Sequence, residues 1–398
     1  MGPMMKLLLC HNYYQHRGGE DESFEAEAAL LESRGHDVVR YAVHNRDIDG
    51  MSQWSLARQA LWNRQAASEL RELIRSEQPV LMHCTNIFPR LSPAVYSAAK
   101  AEGLAVVQSV RNFRVGCLNA FLLHQGRICE DCLGKCFPWR GILRGCYRES
   151  PAASSVVAAT LTLQRFMQKW NRTIDLYFTP TQFARGKLIE AGLPAERIMV
   201  KPNFVRPDPQ VGTGEGRFAV FLGRLAPEKG LDVLLNAWSQ LRRPIQLKII
   251  GDGPLAEQAK SAQERDPRIQ WLGQLPQKEV LPILGDAMCL VMPSIWYETF
   301  GRSIIEAYAK GTPVIASQLG AMAELVQDGK TGYHFPPGNS AAIAERVEWM
   351  ADHPLELARL RNAARQEYLD KYAADRNYEM LMEIYQRAFE LAEVPAAR

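Results

Sequence analysis

No apolar run in these 398 residues reaches the roughly 18–20 that a membrane-spanning helix needs. The early run Lys6–Cys10 stops at His11 and Asn12. No charged-then-apolar leader opens the sequence, and Lys6 stands where myristoylation of Gly2 wants Ser or Thr. These absences set the expectation of a cytoplasmic protein. Low-complexity tracts and internal repeats are lacking as well. Charge of one sign is scarce: 47 Lys and Arg against 44 Asp and Glu leave +3, and no nucleic-acid partner is expected. The full three-glycine dinucleotide fingerprint is missing too. Gly18-Gly19-Glu20 follows the first apolar run, and only Asp37 stands about twenty residues on to take a ribose, which argues against a nicotinamide enzyme. No acidic metal motif is present, so no catalytic metal is expected, and no carboxylate stands out as a glycosidase-type nucleophile.

What is present is globular. The chain is 47% hydrophobic and 23% charged, and its length predicts two or more domains. Short apolar runs alternate with amphipathic stretches. Lys6–Cys10, Asp37–Val43, Val80–His83, Leu104–Ser109, Asp175–Thr179 and Met199–Lys201 read as strands, and Glu22–Ser33 as a helix. Val205–Gly216 reads as a linker. The alternation then restarts with strands Phe218–Leu222, Gln246–Ile250, Ile269–Leu272, Met288–Met292 and Pro313–Ala316, and helices Leu231–Leu241 and Ser303–Lys310. Helical stretches at about 339–351 and 355–391 close the chain. The fold class is therefore α/β, with two Rossmann-like doubly wound domains, 1–204 and 217–375, and a helix at 376–398 expected to pack back on the first. Ligands of such sheets bind beyond the strands' carboxyl ends, and a cleft between the domains is the expectation.

Three stretches carry candidate chemistry. In Pro293–Ala307 a strand end leads through Glu298 to Phe300-Gly301, where a helix carrying Glu306 begins. A helix start offers free N–H groups and partial positive charge, so a phosphate can sit at Gly301 with the two carboxylates beside it taking hydroxyls. Gly223-Arg224 and Glu228-Lys229-Gly230 follow strand Phe218–Leu222, and two cations there can hold a diphosphate. Gly251-Asp252-Gly253-Pro254 is a further glycine turn at the same sheet edge. Each has a plain alternative: solvated glutamates, a surface loop, a tight turn.

Taken together and in this order, the early GGE, the GR…EKG element, GDGP and the two glutamates with seven residues between them resemble glycosyltransferase family 4 through the whole chain. That resemblance implies the GT-B fold, retention of anomeric configuration, a donor bound mainly by the C-terminal domain and an acceptor mainly by the N-terminal one. It implies that Arg224 and Lys229 grip the diphosphate of a UDP- or GDP-sugar, with Gly223, Gly251, Asp252 and Gly253 lining the donor. By the same resemblance Glu298, Phe300 and Gly301 hold sugar and phosphate, Glu306 takes the ribose and Gly19 lies near the phosphates. Such enzymes often carry a histidine after the strand matching Leu104–Ser109. Arg111 stands there instead, so Arg111, with Arg114 and His83, is expected to hold acceptor or phosphate. The implied role is sugar transfer to a glycan or lipid-linked acceptor in surface polysaccharide or glycoconjugate biosynthesis. A nucleotide-sugar epimerase or hydrolase of the same architecture, and a non-catalytic sugar-nucleotide binder, are the rival readings.

Five of the eight cysteines cluster at Cys117, Cys129, Cys132, Cys136 and Cys146, in a segment that resembles an insertion found in part of that family. In a cytoplasmic chain clustered cysteines favour metal, and Cys129 with Cys132 has the two-residue metal spacing. A structural zinc on Cys117, Cys129, Cys132 and Cys146 is the expectation, with a disulfide or free thiols as alternatives. Residues 111–148 show few periodic apolar positions, which suggests ordering by a metal rather than a core. They also hold seven basic residues against two acidic ones. Arg127, Arg140, Arg144 and Arg148 are expected to face an anionic lipid-linked acceptor, with peripheral contact at the inner face of the cell membrane.

Overall fold

The computed structural model describes all residues except 1–3, 16–17, 49, 167–171 and 393–398, so Gly2 and the end of the expected C-terminal helix lie outside the described residues. The chain divides into two compact units. The first comprises the described residues of Met1–Leu122, Cys129–Lys201 and Tyr378–Arg398; the second comprises Leu123–Ile128 and Pro202–Asn377.

In chain order the strands are β1 (Lys6–Tyr13), β2 (Asp37–His44), β3 (Leu81–Cys84), β4 (Ala105–Ser109), β5 (Leu123–His124), β6 (Arg127–Ile128), β7 (Leu176–Thr179) and β8 (Ile198–Val200). The sheet of the first unit runs β2-β1-β3-β4-β7-β8, all parallel, while β5 and β6 form a short antiparallel hairpin. Parallel strands are covered on both faces, so β1 buries its leucines on alternate sides. Leu8 and Cys10 pack with Met82, Cys84 and Leu70 on one side. Leu7 and Leu9 pack with Phe24 and Leu31 of helix Gly19–Ser33, and with Leu381, Ile384 and Tyr385 of helix Ala374–Ala392, on the other.

The second unit continues with β9 (Phe218–Leu222), β10 (Gln246–Ile250), β11 (Ile269–Trp271), β12 (Cys289–Met292), β13 (Val314–Ser317) and β14 (Gly332–Phe335). They form a parallel sheet of order β11-β10-β9-β12-β13-β14. Trp238 and Tyr308 are buried completely, one on each face.

Three readings of the sequence are corrected. β1 runs on to Tyr13, because its polar end is paired: His11 meets Asp21 at 2.7 Å and Asn12 donates to Asn45 at 2.8 Å. The stretch 355–391 is two helices, Pro354–Lys371 and Ala374–Ala392, since Val205 donates to the Tyr372 carbonyl at 3.2 Å and pairs with Ala373. Val205–Gly216 is no free linker: Gly214 and Gly216 donate to the Gly285 and Asp286 carbonyls, and Arg365 pairs with Asp208 at 2.6 Å.

Candidate active site

In the second sheet β9 neighbours both β10 and β12, so the connections leave β9 in opposite directions. In open parallel sheets ligands bind at the carboxyl ends where strand order reverses. The loop after β9 brings Gly223, Arg224 and Lys229 there, and the loop after β12 brings Ser294, Trp296 and Glu298. The two loops are stitched together. Ile295 donates to the Glu228 carbonyl at 3.0 Å. Gly230 sits at φ 71°, and a Cβ there would stand 2.1 Å from the Pro293 carbonyl oxygen, so the approach requires glycine. Gly251, at φ 138°, is likewise forced by the Gly223 carbonyl, 1.9 Å from where its Cβ would be. Leu225 N–H then bonds the Asp252 carbonyl at 2.9 Å, fixing the loop after β10 against the loop after β9.

This stitching places Lys229 Nζ 2.5 Å from Glu298 Oε1, and Ser294 Oγ donates to the same oxygen at 3.0 Å. Lys229 also stands 5.2 Å from the centre of the Trp296 ring. Glu298 is only 7% exposed, so its charge is stabilised by these two donors rather than by water. Arg224 is exposed and makes no ion pair among the described residues. Helix Arg302–Ala309 starts at Gly301, φ 92°, with its amides toward this loop. Glu306 lies one turn on and receives Arg302 at 3.2 Å and Gln277 at 3.4 Å. The Phe300 ring is core, edge-on to Tyr372 at 6.2 Å, so only its backbone is available to a ligand. Asp252 turns its carboxylate onto the Gly253 N–H at 2.7 Å and serves its own turn. Arg224, Lys229, Glu298, Gly301 and Glu306 thus share one sheet edge. Trp296 and Ser294 were overlooked, although both stand inside the same PSIWYETFG stretch.

In the first unit Gly19 opens helix Gly19–Ser33, with open space where its Cβ would be. The first turn there carries Glu20, Asp21 and Glu22, and Asp21 already caps the Gly18 N–H at 3.0 Å. Arg111 and His83 require correction as acceptor-facing groups. Arg111 Nη2 meets Glu27 Oε1 at 2.8 Å, Lys201 Nζ meets the same oxygen at 2.6 Å, and all three are buried. His83 is 1% exposed, bonds Tyr385 Oη at 2.9 Å and stands 3.8 Å from Glu27. Burial pushes its imidazole down to about 4 against the pull of Glu27. Burial alone would raise the Glu27 carboxyl, but Lys201 and Arg111 hold it down at about 2. This cluster ties strand ends and helices inside the unit. Arg111 and Arg114 both line one cavity, and Arg114 alone of the two reaches a second.

The four cysteines share one neighbourhood. Cys146 senses Cys117, Cys132 and Cys129, and burial first, then their charge, pushes its thiol up to about 11. Cys117 bonds Asn119 at 2.9 Å and Cys129 receives Arg144 at 3.3 Å. Among the described residues no three His, Cys, Asp or Glu side chains stand as a metal-holding group, so the zinc arrangement is not met and no step is assigned to a metal. The segment also contributes to a core, which its sequence pattern did not suggest. Leu118 joins Val157, Ala158 and Leu161 in a small core, with Ile142, Cys146 and Tyr147 against it. Arg140 and Arg144, expected to face an anionic acceptor, both close on Asp131, at 3.3 and 2.7 Å. Arg127 lies in the hairpin that groups with the second unit.

Among the described residues no helix is long and apolar enough to cross a membrane. Residues 18–203 match the family described as Glycosyl transferase 4-like domain, and residues 208–367 match Glycosyl transferases group 1. A phosphatidyl-myo-inositol mannosyltransferase of Mycobacterium leprae is 32% identical over 206 residues, covering 49% of this chain and 54% of the relative. The D-rhamnosyltransferase WbpZ of Pseudomonas aeruginosa is 29% identical over 162 residues, 40% of this chain and 42% of the relative. The chain thus spans about half the length of these curated relatives. Among solved structures, Anabaena HepE in complex with UDP superposes with a TM-score of 0.68 at 16% identity, covering 96% of this chain and all of the other. Sucrose-phosphate synthase from Thermosynechococcus elongatus gives 0.70 at 14% identity, with 97% and 99% covered. With two parallel Rossmann-like sheets and a family match over each, the chain belongs to the family 4-like glycosyltransferases of GT-B fold.

Proposed function

We propose that the chain is a retaining glycosyltransferase that moves a sugar from a nucleotide-diphosphate donor to a glycan or lipid-linked acceptor. The observation that carries this reading is the convergence of Arg224, Lys229, Glu298 and the Gly301 helix start at the strand-order reversal of the second sheet. The solved relative bound to UDP, and the named mannosyl- and rhamnosyltransferases, support the donor class.

In the proposed step the acceptor hydroxyl oxygen bonds the anomeric carbon on the face from which the diphosphate leaves. The C–O bond to the diphosphate breaks, its electron pair stays on the leaving phosphate, and that oxygen takes the hydroxyl proton. Arg224, Lys229 and the amides at Gly301 meet the charge that grows on the leaving group. Glu298 positions Lys229 through its ion pair and accepts from sugar hydroxyls; Glu306 accepts from the ribose. The catalytic step calls on no metal.

Thermal stabilisation by a panel of UDP- and GDP-sugars identifies the donor. NMR of the product's anomeric proton then reads stereochemistry: a retained configuration is expected, and an inverted linkage rules the mechanism out. Free nucleotide released at full rate without any acceptor would instead favour the hydrolase or epimerase reading.

A further inference from the structure

Four side chains of the first unit form a cationic stack with no ion pair to a carboxylate among the described residues. The Arg114 guanidinium lies 4.6 Å from the Phe88 ring centre and 5.3 Å from that of Tyr147. Arg148 lies 5.6 Å from the same Tyr147 ring, and Phe88 and Tyr147 meet edge to face at 6.0 Å. Arg114 donates to the Leu118 carbonyl at 3.0 Å. Neither arginine makes an ion pair among the described residues, whereas Arg140 and Arg144 of the same segment both reach Asp131. Two like charges leaning on one ring repel each other, and an anion between them relieves this while satisfying their remaining N–H donors. Both line a cavity of about 380 Å³ with Tyr14, Asn86, Asn119 and Phe121.

A second cavity, of about 480 Å³, adjoins it and shares the wall of Phe88, Pro89, Tyr147 and Arg148. The walls of the second are Leu56, Ala57 and Ala60 of helix Gln53–Leu61, and Ala153, Val156 and Val157 of helix Pro151–Phe166. A trough this apolar holds water poorly and favours hydrocarbon. Around it Phe121 is 49% exposed, and on the same cysteine segment Trp139 is 53% and Leu143 73% exposed. Exposed aromatics and leucine interleaved with arginine suit a lipid–water boundary.

We propose that these adjoining cavities are the acceptor site, and that the acceptor is a phosphate-bearing lipid. Its hydrocarbon chain lies in the Leu56–Val157 trough and its phosphate on Arg114 and Arg148. A sugar or a free phosphate would leave the apolar trough empty, and an uncharged lipid would leave the arginines without an anion. The word acceptor rests on the glycosyltransferase reading; the lipid-phosphate site does not.

Isothermal titration of the full chain with farnesyl phosphate, farnesol and inorganic phosphate tests it. Farnesyl phosphate should bind at least about tenfold more tightly than either of the others, as one added charge-assisted contact implies. Arg148→Glu and Ala57→Trp should each weaken it about tenfold or more, one at the head and one in the trough. Arg148 is exposed, so its variant keeps the test readable if Ala57→Trp does not fold. Equal affinity for the three ligands, or wild-type binding in Arg148→Glu, overturns the proposal. A dimer that Ala57→Trp dissolves, with no farnesyl phosphate binding, overturns it too and assigns the trough to a second copy. Stabilisation by UDP and by GDP is read on the same samples. Binding of either nucleotide without farnesyl phosphate binding removes the lipid site and leaves the transferase; farnesyl phosphate binding with neither nucleotide bound keeps the lipid site and removes the transferase.

Discussion

At Lys229 two demands compete, because the cation expected to grip a diphosphate is already paired to Glu298 at 2.5 Å. An ammonium has three donors, so one N–H can stay on Glu298 while the others reach a phosphate. Arg224, exposed and without an ion pair, carries no such structural duty. The two substitutions therefore separate. Arg224→Ala is expected to lower kcat/KM by roughly 10²–10³-fold at unchanged melting temperature, as loss of a transition-state charge partner does. Lys229→Ala should lower kcat/KM similarly and also cost about 1–2 kcal/mol, since it strands the nearly buried Glu298 carboxylate on Ser294 alone. Adding Glu298→Gln to Lys229→Ala should recover stability and not activity. Steady-state kinetics beside denaturant titration decides it, and near-wild-type kinetics in Arg224→Ala rules out the clamp.

Among the elements, the loops after β9 and β12 are rigid by construction, and Gly230→Ala tests this. Its Cβ would meet the Pro293 carbonyl oxygen at 2.1 Å in a left-handed backbone. A loss of roughly 2 kcal/mol or more is expected, with weakened stabilisation by UDP, as the two loops are forced apart. Gly19→Ala meets nothing within 4 Å and should leave stability within about 0.5 kcal/mol. Thermal melts with and without UDP compare them. Five strands of the second sheet were legible because buried parallel strands are short, apolar and bounded by glycine turns; the edge strand β14, Gly332–Phe335, was not. The proposed donor residues stand in the same few turns. What escaped depended on contacts between distant residues. His11 and Asn12 look like a strand end until Asp21 and Asn45 satisfy them. Ala373 looks helical until Val205 pairs with it. The cysteine segment looks coreless because Leu118 finds its partners on helix Pro151–Phe166. Arg111 and Arg140 look free, and only the fold brings Glu27 and Asp131 to them.

For the first unit as a whole, the buried cluster of Glu27, Lys201, Arg111 and His83 makes folding sensitive to acid. It joins helix Gly19–Ser33, strand β3, the residue that follows β8, the segment after β4 and, through Tyr385, helix Ala374–Ala392. The desolvated ions are stable only while Glu27 is charged and His83 neutral. Burial holds the folded His83 near 4, below its ordinary value of 6.5, so on acidification the unfolded chain takes this proton first. The stability His83 confers is thus complete above pH 6.5 and is lost as pH falls to 4, amounting to roughly 3 kcal/mol. The Glu27 carboxyl is held near 2 in the folded unit against an ordinary 4.5, so its contribution is complete above pH 4.5 and is lost as pH falls toward 2. Two successive acid steps are expected, and replacement separates them. His83→Gln keeps a hydrogen-bonding partner for Tyr385 but does not titrate, so it should flatten the window from pH 6.5 to 4 and leave the lower one. Glu27→Gln should lower stability at every pH, because it leaves Lys201 and Arg111 buried without their anion. Urea titrations at intervals from pH 7.5 to about 2.5 read the slopes of both windows. A wild-type slope between pH 6.5 and 4 in His83→Gln would show that another group carries that proton.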